Sequence, residues 1–339
     1  MDRTGEFPLS PRRELDEDDI RVRPGRRGSR PRTRTRPSHS DAQEAMVIGV
    51  DRGRYTCWLD EQAVIAMRAR ELGRKSVVVG DRVALVGDVT GGPDALARIV
   101  RIEERRSVLR RTADDDDPYE RVIVANADQL VVVTSLVDPP PRTGFVDRCL
   151  VAALDAGVEP LLCLTKADLA PEGAAEKFRQ HWAALDLPVV TTRRDAEPVE
   201  LEERLTGRLS VLFGHSGVGK STLVNRLVPD AERATGGVSA VGKGRHTSTS
   251  AVALALPAGG WVIDTPGVRS FGLAHVSPAS LLAGFTDLAD GADECPPGCE
   301  HRSAEEGCAL DEWVAAGHAS PERLASYRSL LASRGDFVS

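Results

Sequence analysis

Residues 214–221 read Gly214-His215-Ser216-Gly217-Val218-Gly219-Lys220-Ser221, with Thr222 next. Every fixed position of the phosphate-loop pattern G-x-x-x-x-G-K-[ST] is met. The apolar stretch Arg208–Phe213 precedes the run, and a helical pattern over Ser221–Leu227 follows it. A strand, a glycine turn and a helix in that order leave few folds open. Glycines let successive backbone N–H groups turn inward around phosphate oxygens, and the helix N-terminus adds its own positive end. Lys220 is expected to reach the β and γ phosphates, and Ser221 to hold Mg²⁺. Strand–helix alternation around the run predicts a mainly parallel sheet with ligands at the C-terminal ends of its strands. Predicted strands are Gln129–Ser135, Glu159–Thr165, Pro188–Thr192, Arg208–Phe213 and Trp261–Asp264. Predicted helices are Phe145–Ala156 and Ala174–Leu185.

Upstream, the strand Glu159–Thr165 closes on Thr165-Lys166-Ala167-Asp168. An [N/T]-K-x-D sequence at such a strand end reads guanine. Its carboxylate accepts from N1–H and the 2-amino group, a pair adenine does not offer. Alone the motif is weak. It gains weight from the phosphate loop and from the lack of an N-K-x-D after residue 268. The order is then inverted, with the base-reading motif before the phosphate loop, which is the order of a circularly permuted GTPase. Val190-Thr191-Thr192 loosely matches the last base-contacting motif. Only five of the 44 Lys and Arg residues are lysines, and Lys166 and Lys220 both fall inside these motifs.

Asp264-Thr265-Pro266-Gly267 follows the strand Trp261-Val262-Ile263. Asp264 is expected to hold Mg²⁺ through water, and the Gly267 N–H to sense the γ-phosphate. Upstream lies Gly244-Arg245-His246-Thr247-Ser248-Thr249, where Thr249 or Thr247 would ligate Mg²⁺. After the switch glycine stands Val268, which cannot orient water, so intrinsic hydrolysis should be slow and another group must complete the site. His246 is the nearest polar candidate, with an RNA contact or a loop brace as the alternative.

The rest of the chain carries other signals. Residues 1–44 lack apolar periodicity, and 21–36 hold eight arginines and no acid. They predict a disordered extension, either an arm for nucleic-acid phosphates or a solubilising tail. Residues 45–105 hold five or six short alternating strands separated by Gly and Asp, including Val77–Val79. They suggest a small closed barrel, an OB-fold, with an SH3-like barrel as the alternative. Residues 106–120, with Asp114–Asp117, read as a charged linker. No apolar run reaches membrane-spanning length and no secretory signal is evident, so a cytoplasmic location is expected. Cys295, Cys299, His301 and Cys308 offer three thiolates and an imidazole, the donor set of a closed structural Zn²⁺ site. Pro321–Ala332 reads as a terminal helix.

The ordered set of barrel, T-K-A-D, G-x-S-G-V-G-K-S, G-R-H-T-S-T, D-T-P-G and C…C-x-H…C resembles the ribosome small-subunit-dependent GTPase A (RsgA) family over about residues 45–335. Arg105-Arg106-Ser107-Val108-Leu109-Arg110-Arg111 is similar to that family's junction after the barrel. The resemblance implies an OB-fold at 45–105, a circularly permuted α/β P-loop GTPase domain at 121–285 and a mostly helical zinc-binding domain at 286–339. It also implies GTP hydrolysis to GDP with Mg²⁺, stimulated by the 30S subunit during its late maturation, with contacts to 16S rRNA. A monomer is expected. The chain departs from the family pattern at Thr165, where asparagine is commoner, by about one residue in two gaps of the cysteine spacing, and in the Arg-rich extension.

Overall fold

The computed structural model describes residues 39–72, 76–112, 120–185, 187–229, 251–265, 271, 273, 275–304 and 307–335. The arginine-rich run, the acid run 114–117, the G-R-H-T-S-T segment and Pro266–Val268 lie outside the described residues.

Five strands form the N-terminal barrel: β1 Gln43–Asp51, β2 Arg54–Leu59, β3 Gln62–Arg68, β4 Arg82–Gly87 and β5 Ala97–Ile102. They pair in the closed order β1-β2-β3-β5-β4-β1, with β3 and β5 parallel. That order is the OB-fold arrangement. Val47, Cys57, Val64, Val83 and Ile99 fill the interior, all fully buried. Val77–Val79, expected as a strand, makes only a single bridge, Val79 to Val124. A buried Asp81 holds the turn after it, accepting from the Val78 N–H at 2.8 Å and from Arg105 Nε at 2.7 Å. Gly80, at φ +87°, is required there, because a Cβ would stand 2.0 Å from the Ala125 carbonyl oxygen.

The expected linker is structured at both ends. β6 Val108–Thr112 pairs antiparallel with β7 Glu120–Ala125. Charge in the sequence hid a hairpin whose backbone bonds do not depend on side-chain polarity. Asn126 ties the hairpin to the barrel, donating to the Gly80 carbonyl and accepting from the Arg106 N–H.

The α/β sheet runs β10-β9-β8-β11-β13-β12. Its strands are β8 Gln129–Ser135, β9 Glu159–Thr165, β10 Val189–Thr191, β11 Leu209–Phe213, β12 Val252–Ala255 and β13 Trp261–Asp264. All neighbours are parallel except β12 with β13. Along β8, Leu130 and Val132 face one core while Val131 and Val133 face the other, as in a sheet covered on both sides. Helices α3 Val199–Leu205 and α4 Lys220–Leu227 contribute to the second core. Helix α1 Thr143–Asp155 packs into the first. The helix expected over Ala174–Leu185 is α2 Ala174–Arg179 followed by a 3₁₀ stretch, Gln180–Leu185. The break lies at Trp182, whose buried indole donates to Asp147 Oδ1 at 2.7 Å.

The C-terminal part is helical: α5 Pro278–Ala283, α6 Thr286–Ala292, α7 Ala309–Ala315 and α8 Pro321–Gly335. Arg323 of α8 is 1% exposed. It donates to Asp147 of α1 at 2.8 Å and to both oxygens of Asp287 on α6, and lies over the Phe285 ring.

The barrel and the α/β sheet are one hydrogen-bonded surface of eleven strands, joined where Gly49 of β1 pairs with Val252 of β12. β1 therefore packs on both faces. Ala45 and Val47 face the barrel core, while Met46, Ile48 and Val50 pack into the core shared with Ala253 and Ile263. Among the described residues, no helix is long and apolar enough to cross a membrane.

Candidate nucleotide and metal sites

The phosphate loop leaves β11 and enters α4 at the C-terminal edge of the parallel sheet. Gly217 and Gly219 take φ of +82° and +99°, conformations that side chains resist. A Cβ on Gly214 would stand 2.2 Å from the Val133 carbonyl, so the loop's first glycine is fixed by its approach to β8. Lys220 folds back over the loop and donates to the carbonyls of Gly214 and His215. Ser216, Gly217, Ser221 and Thr222 are open to solvent, while Val218 is buried beneath the loop.

Asp264 ends β13 beside this loop, in register with Leu212 of β11. Its Oδ1 is buried and has no hydrogen-bond partner among the described residues. Burial raises the Asp264 carboxyl, opposed by the Lys220 charge and the Thr265 N–H. Burial likewise lowers the Lys220 amine, opposed by Asp264. The pair is thus a partly desolvated cation and carboxylate, with one carboxylate oxygen left for a further ligand. Thr265 anchors the strand end by donating to the Leu212 carbonyl at 2.9 Å.

Thr165, at the end of β9, is buried and turned toward the phosphate loop. Its hydroxyl donates to the Val218 carbonyl at 2.5 Å. Lys166 takes φ +59° and donates to the Asp138 carbonyl. Asp168 accepts from the Arg194 N–H at 3.1 Å, and the Ala167 N–H reaches the Thr192 carbonyl at 3.3 Å. The T-K-A-D loop therefore sits between the phosphate loop and the turn after β10, despite its place far upstream in sequence. Arg194 lies just beyond the expected Val190–Thr192 match, and no sequence signal marks its backbone as the one that meets Asp168.

A chain of rings underlies the loop. His215 meets Phe145 at 4.1 Å, Phe145 stacks on Phe213 at 5.6 Å, and Phe213 meets Phe271 at 4.1 Å. The His215 imidazole is lowered by burial, then by the charges of Arg142 and Lys220. Aromatic residues this far apart in sequence give no periodic signal, so this set was not legible in the chain. Of the expected site residues, Thr165–Asp168, Gly214–Thr222 and Asp264 converge on this edge. His246, Thr249 and Gly267 fall outside the described residues. A cavity of about 520 Å³ lies elsewhere, lined by Gln129 and Glu159 at the opposite strand ends.

Cys295, Cys299, His301 and Cys308 form a second cluster, with one donor atom from each within 4.8 Å of the others. His301 Nδ1 lies 3.4, 3.6 and 3.7 Å from the three sulfurs, and Cys295 Sγ lies 4.0 Å from Cys308 Sγ. The four can hold a metal ion. Burial, then the neighbouring thiols, push the Cys308 thiol up to about 11, and a bound cation would favour the thiolate instead. Arg328 of α8 steadies the cluster, donating to the His301 carbonyl at 3.1 Å and to both oxygens of Asp311.

The family model for the RsgA GTPase matches residues 102–274. A protein from Chlorobaculum parvum named small ribosomal subunit biogenesis GTPase RsgA is 41% identical over 269 residues, covering 77% of this chain and 86% of its own. A protein of the same name from Azotobacter vinelandii is 40% identical over 265 residues, covering 76% and 75%. The crystal structure of YjeQ from Thermotoga maritima superposes with a TM-score of 0.66 at 26% identity, over 86% of this chain and 98% of its own. YloQ, described as a circularly permuted GTPase, shares the fold at the same TM-score, with 22% identity and coverage of 89% and 98%. The inverted order of the two motif loops and these matches lead to one conclusion: the chain belongs to the RsgA GTPase family.

Proposed function

We propose that the chain hydrolyses GTP to GDP and phosphate with Mg²⁺ in late maturation of the small ribosomal subunit, and that the subunit stimulates the reaction. The observation that carries this is the convergence of Lys220, the buried Asp264 carboxylate and the Thr165–Asp168 loop on one sheet edge. Asp168 reads the guanine edge, and Lys166 lies along the base. Loop N–H groups and Lys220 cradle the phosphates. The unpartnered oxygen of Asp264 suits holding Mg²⁺ through water, with Ser221 and Thr249 as its ligands. Bound there, Mg²⁺ would offset the charge on the β and γ oxygens. Binding and orientation are the work of the chain's own groups. His246 is our candidate for completing the water site, and the Gly267 N–H for sensing the γ-phosphate.

The cysteine cluster suits a structural Zn²⁺. A tetrahedron with Zn–S bonds of about 2.3 Å and a Zn–N bond of about 2.0–2.1 Å has edges of roughly 3.5–3.8 Å, close to the donor separations present. We assign 16S rRNA contacts to the OB-fold and the zinc region, and a monomeric, cytoplasmic state. The proposed divisions are 45–105, 121–285 and 286–339.

Turnover of GTP with and without purified 30S subunits tests the reading; no stimulation at any salt concentration removes the subunit from it. Asp168→Asn should shift preference from guanosine to xanthosine nucleotides.

A further inference from the structure

The barrel reaches the nucleotide site through two contacts on β13. One is a single row across four strands. Asp264 of β13 pairs with Val252 of β12, Val252 pairs with Gly49 of β1, and Gly49 pairs with Thr56 of β2. The other lies at the far end of the same strand, where Trp58 of β2 meets Trp261 edge-on, ring centroids 5.3 Å apart at 72°. Between them the outward side chains of β1, buried Ile48 and half-buried Met46 and Val50, pack into the core that holds Ala253 and Ile263. β12 is short, four residues, and among the described residues its pairing with the barrel is one register pair. The indole contact therefore adds a side-chain brace to the register pairs and the Thr265–Leu212 bond that hold β13 on β11. A shift of β13 against β11 would move the buried Asp264 oxygen, which has no hydrogen-bond partner among the described residues.

We infer that Trp58, a barrel side chain remote from the phosphates, is a positioning residue for the reaction: through Trp261 and the Gly49–Val252–Asp264 row it holds the Asp264 carboxylate where Mg²⁺ is to be bound. This rests on the reading that Asp264 holds Mg²⁺ through water. Its consequence is regulatory, since whatever engages the barrel acts on the metal position through these strands. Packed side chains carry coupling of this kind over several residues.

The full chain carries the test. Release of a fluorescent GTP analogue is followed across a Mg²⁺ titration in wild type, Trp58→Leu, Trp58→Phe and Asp264→Asn, with Tm measured alongside. Trp58→Leu should raise the half-effective Mg²⁺ concentration by about threefold or more. Its affinity for nucleotide without Mg²⁺ should stay near wild type, and Trp58→Phe should restore the Mg²⁺ dependence. Amide exchange at 252–255 and 261–264 should rise in Trp58→Leu. Trp261→Phe gives the same readouts by a milder cut if Trp58→Leu does not fold. A Mg²⁺ dependence and exchange pattern unchanged in the tryptophan variants, with Asp264→Asn shifted, overturns the inference. An unshifted Asp264→Asn overturns instead the metal reading beneath it.

Discussion

The Thr165 hydroxyl bonds the Val218 carbonyl of the phosphate loop, so its direct contact is with protein backbone. What the position needs is one donor aimed at that loop, and a hydroxyl meets the need where the commoner asparagine would use its amide. Thr165→Val keeps the shape and removes the donor, leaving a buried carbonyl unsatisfied at a cost of about 1–3 kcal/mol. Guanine-nucleotide affinity should fall roughly fivefold or more by fluorescent-nucleotide titration, and Thr165→Asn should retain it. Gly80 is a different case. The 2.0 Å approach of its absent Cβ to Ala125 and its positive φ mean that Gly80→Ala must move backbone. Destabilisation of about 2 kcal/mol or more is expected in urea unfolding. The glycines of the phosphate loop were legible because their spacing is the motif. Gly80 was not, because the requirement comes from a strand beyond the barrel. Asp147 and Arg323 were hidden for a related reason: charged residues in a sequence read as exposed until a partner from another element covers them.

Helix α1 shows how one element serves several neighbours. Phe145 faces the phosphate loop, and Arg148 donates to the Phe271 carbonyl at 3.4 Å. Asp155 pairs with His275 at 3.1 Å, and Asp147 receives Arg323 and Ser326 from α8. Burial alone would raise the Asp147 carboxyl. His181 at 3.7 Å, the Arg323 charge, and the Ser326 and Trp182 hydrogen bonds outweigh it and hold the group below its ordinary value of 3.8. A carboxyl lowered in the folded state stabilises the fold above its unfolded pKa. That contribution is lost as the pH falls through the folded value. The wild type should therefore lose stability below about pH 4, and Asp147→Asn should be less stable at pH 7 with a flatter acid limb in Tm against pH. Arg323→Met strands two buried carboxylates and should cost about 3–5 kcal/mol. The cysteine cluster makes a separate demand. Chelation should release one Zn²⁺ per chain by metal analysis and raise amide exchange across 295–311, while nucleotide affinity changes little. The strands of the parallel sheet were readable as apolar runs. β12 was not: four residues give no period to count.

At the scale of the molecule, the barrel and the α/β sheet share strand β1, whose two faces belong to two cores. A chain beginning after residue 105 would expose Ala253, Ile263 and Trp261 along an unpaired β12 edge. It should be aggregation-prone in light scattering where the full chain is not. Sequence periodicity located the barrel and the sheet separately. Their junction was not legible, because it joins strands from distant parts of the chain, through one register pair among the described residues. The junction also bears on synthesis. The barrel emerges from the translating ribosome long before Val252, and until β12 and β13 are made the strip Met46, Ile48, Val50 and Trp58 lacks Ala253, Trp261 and Ile263 as packing partners. The nascent chain thus carries an incompletely covered apolar seam on an early domain until two of its later strands arrive.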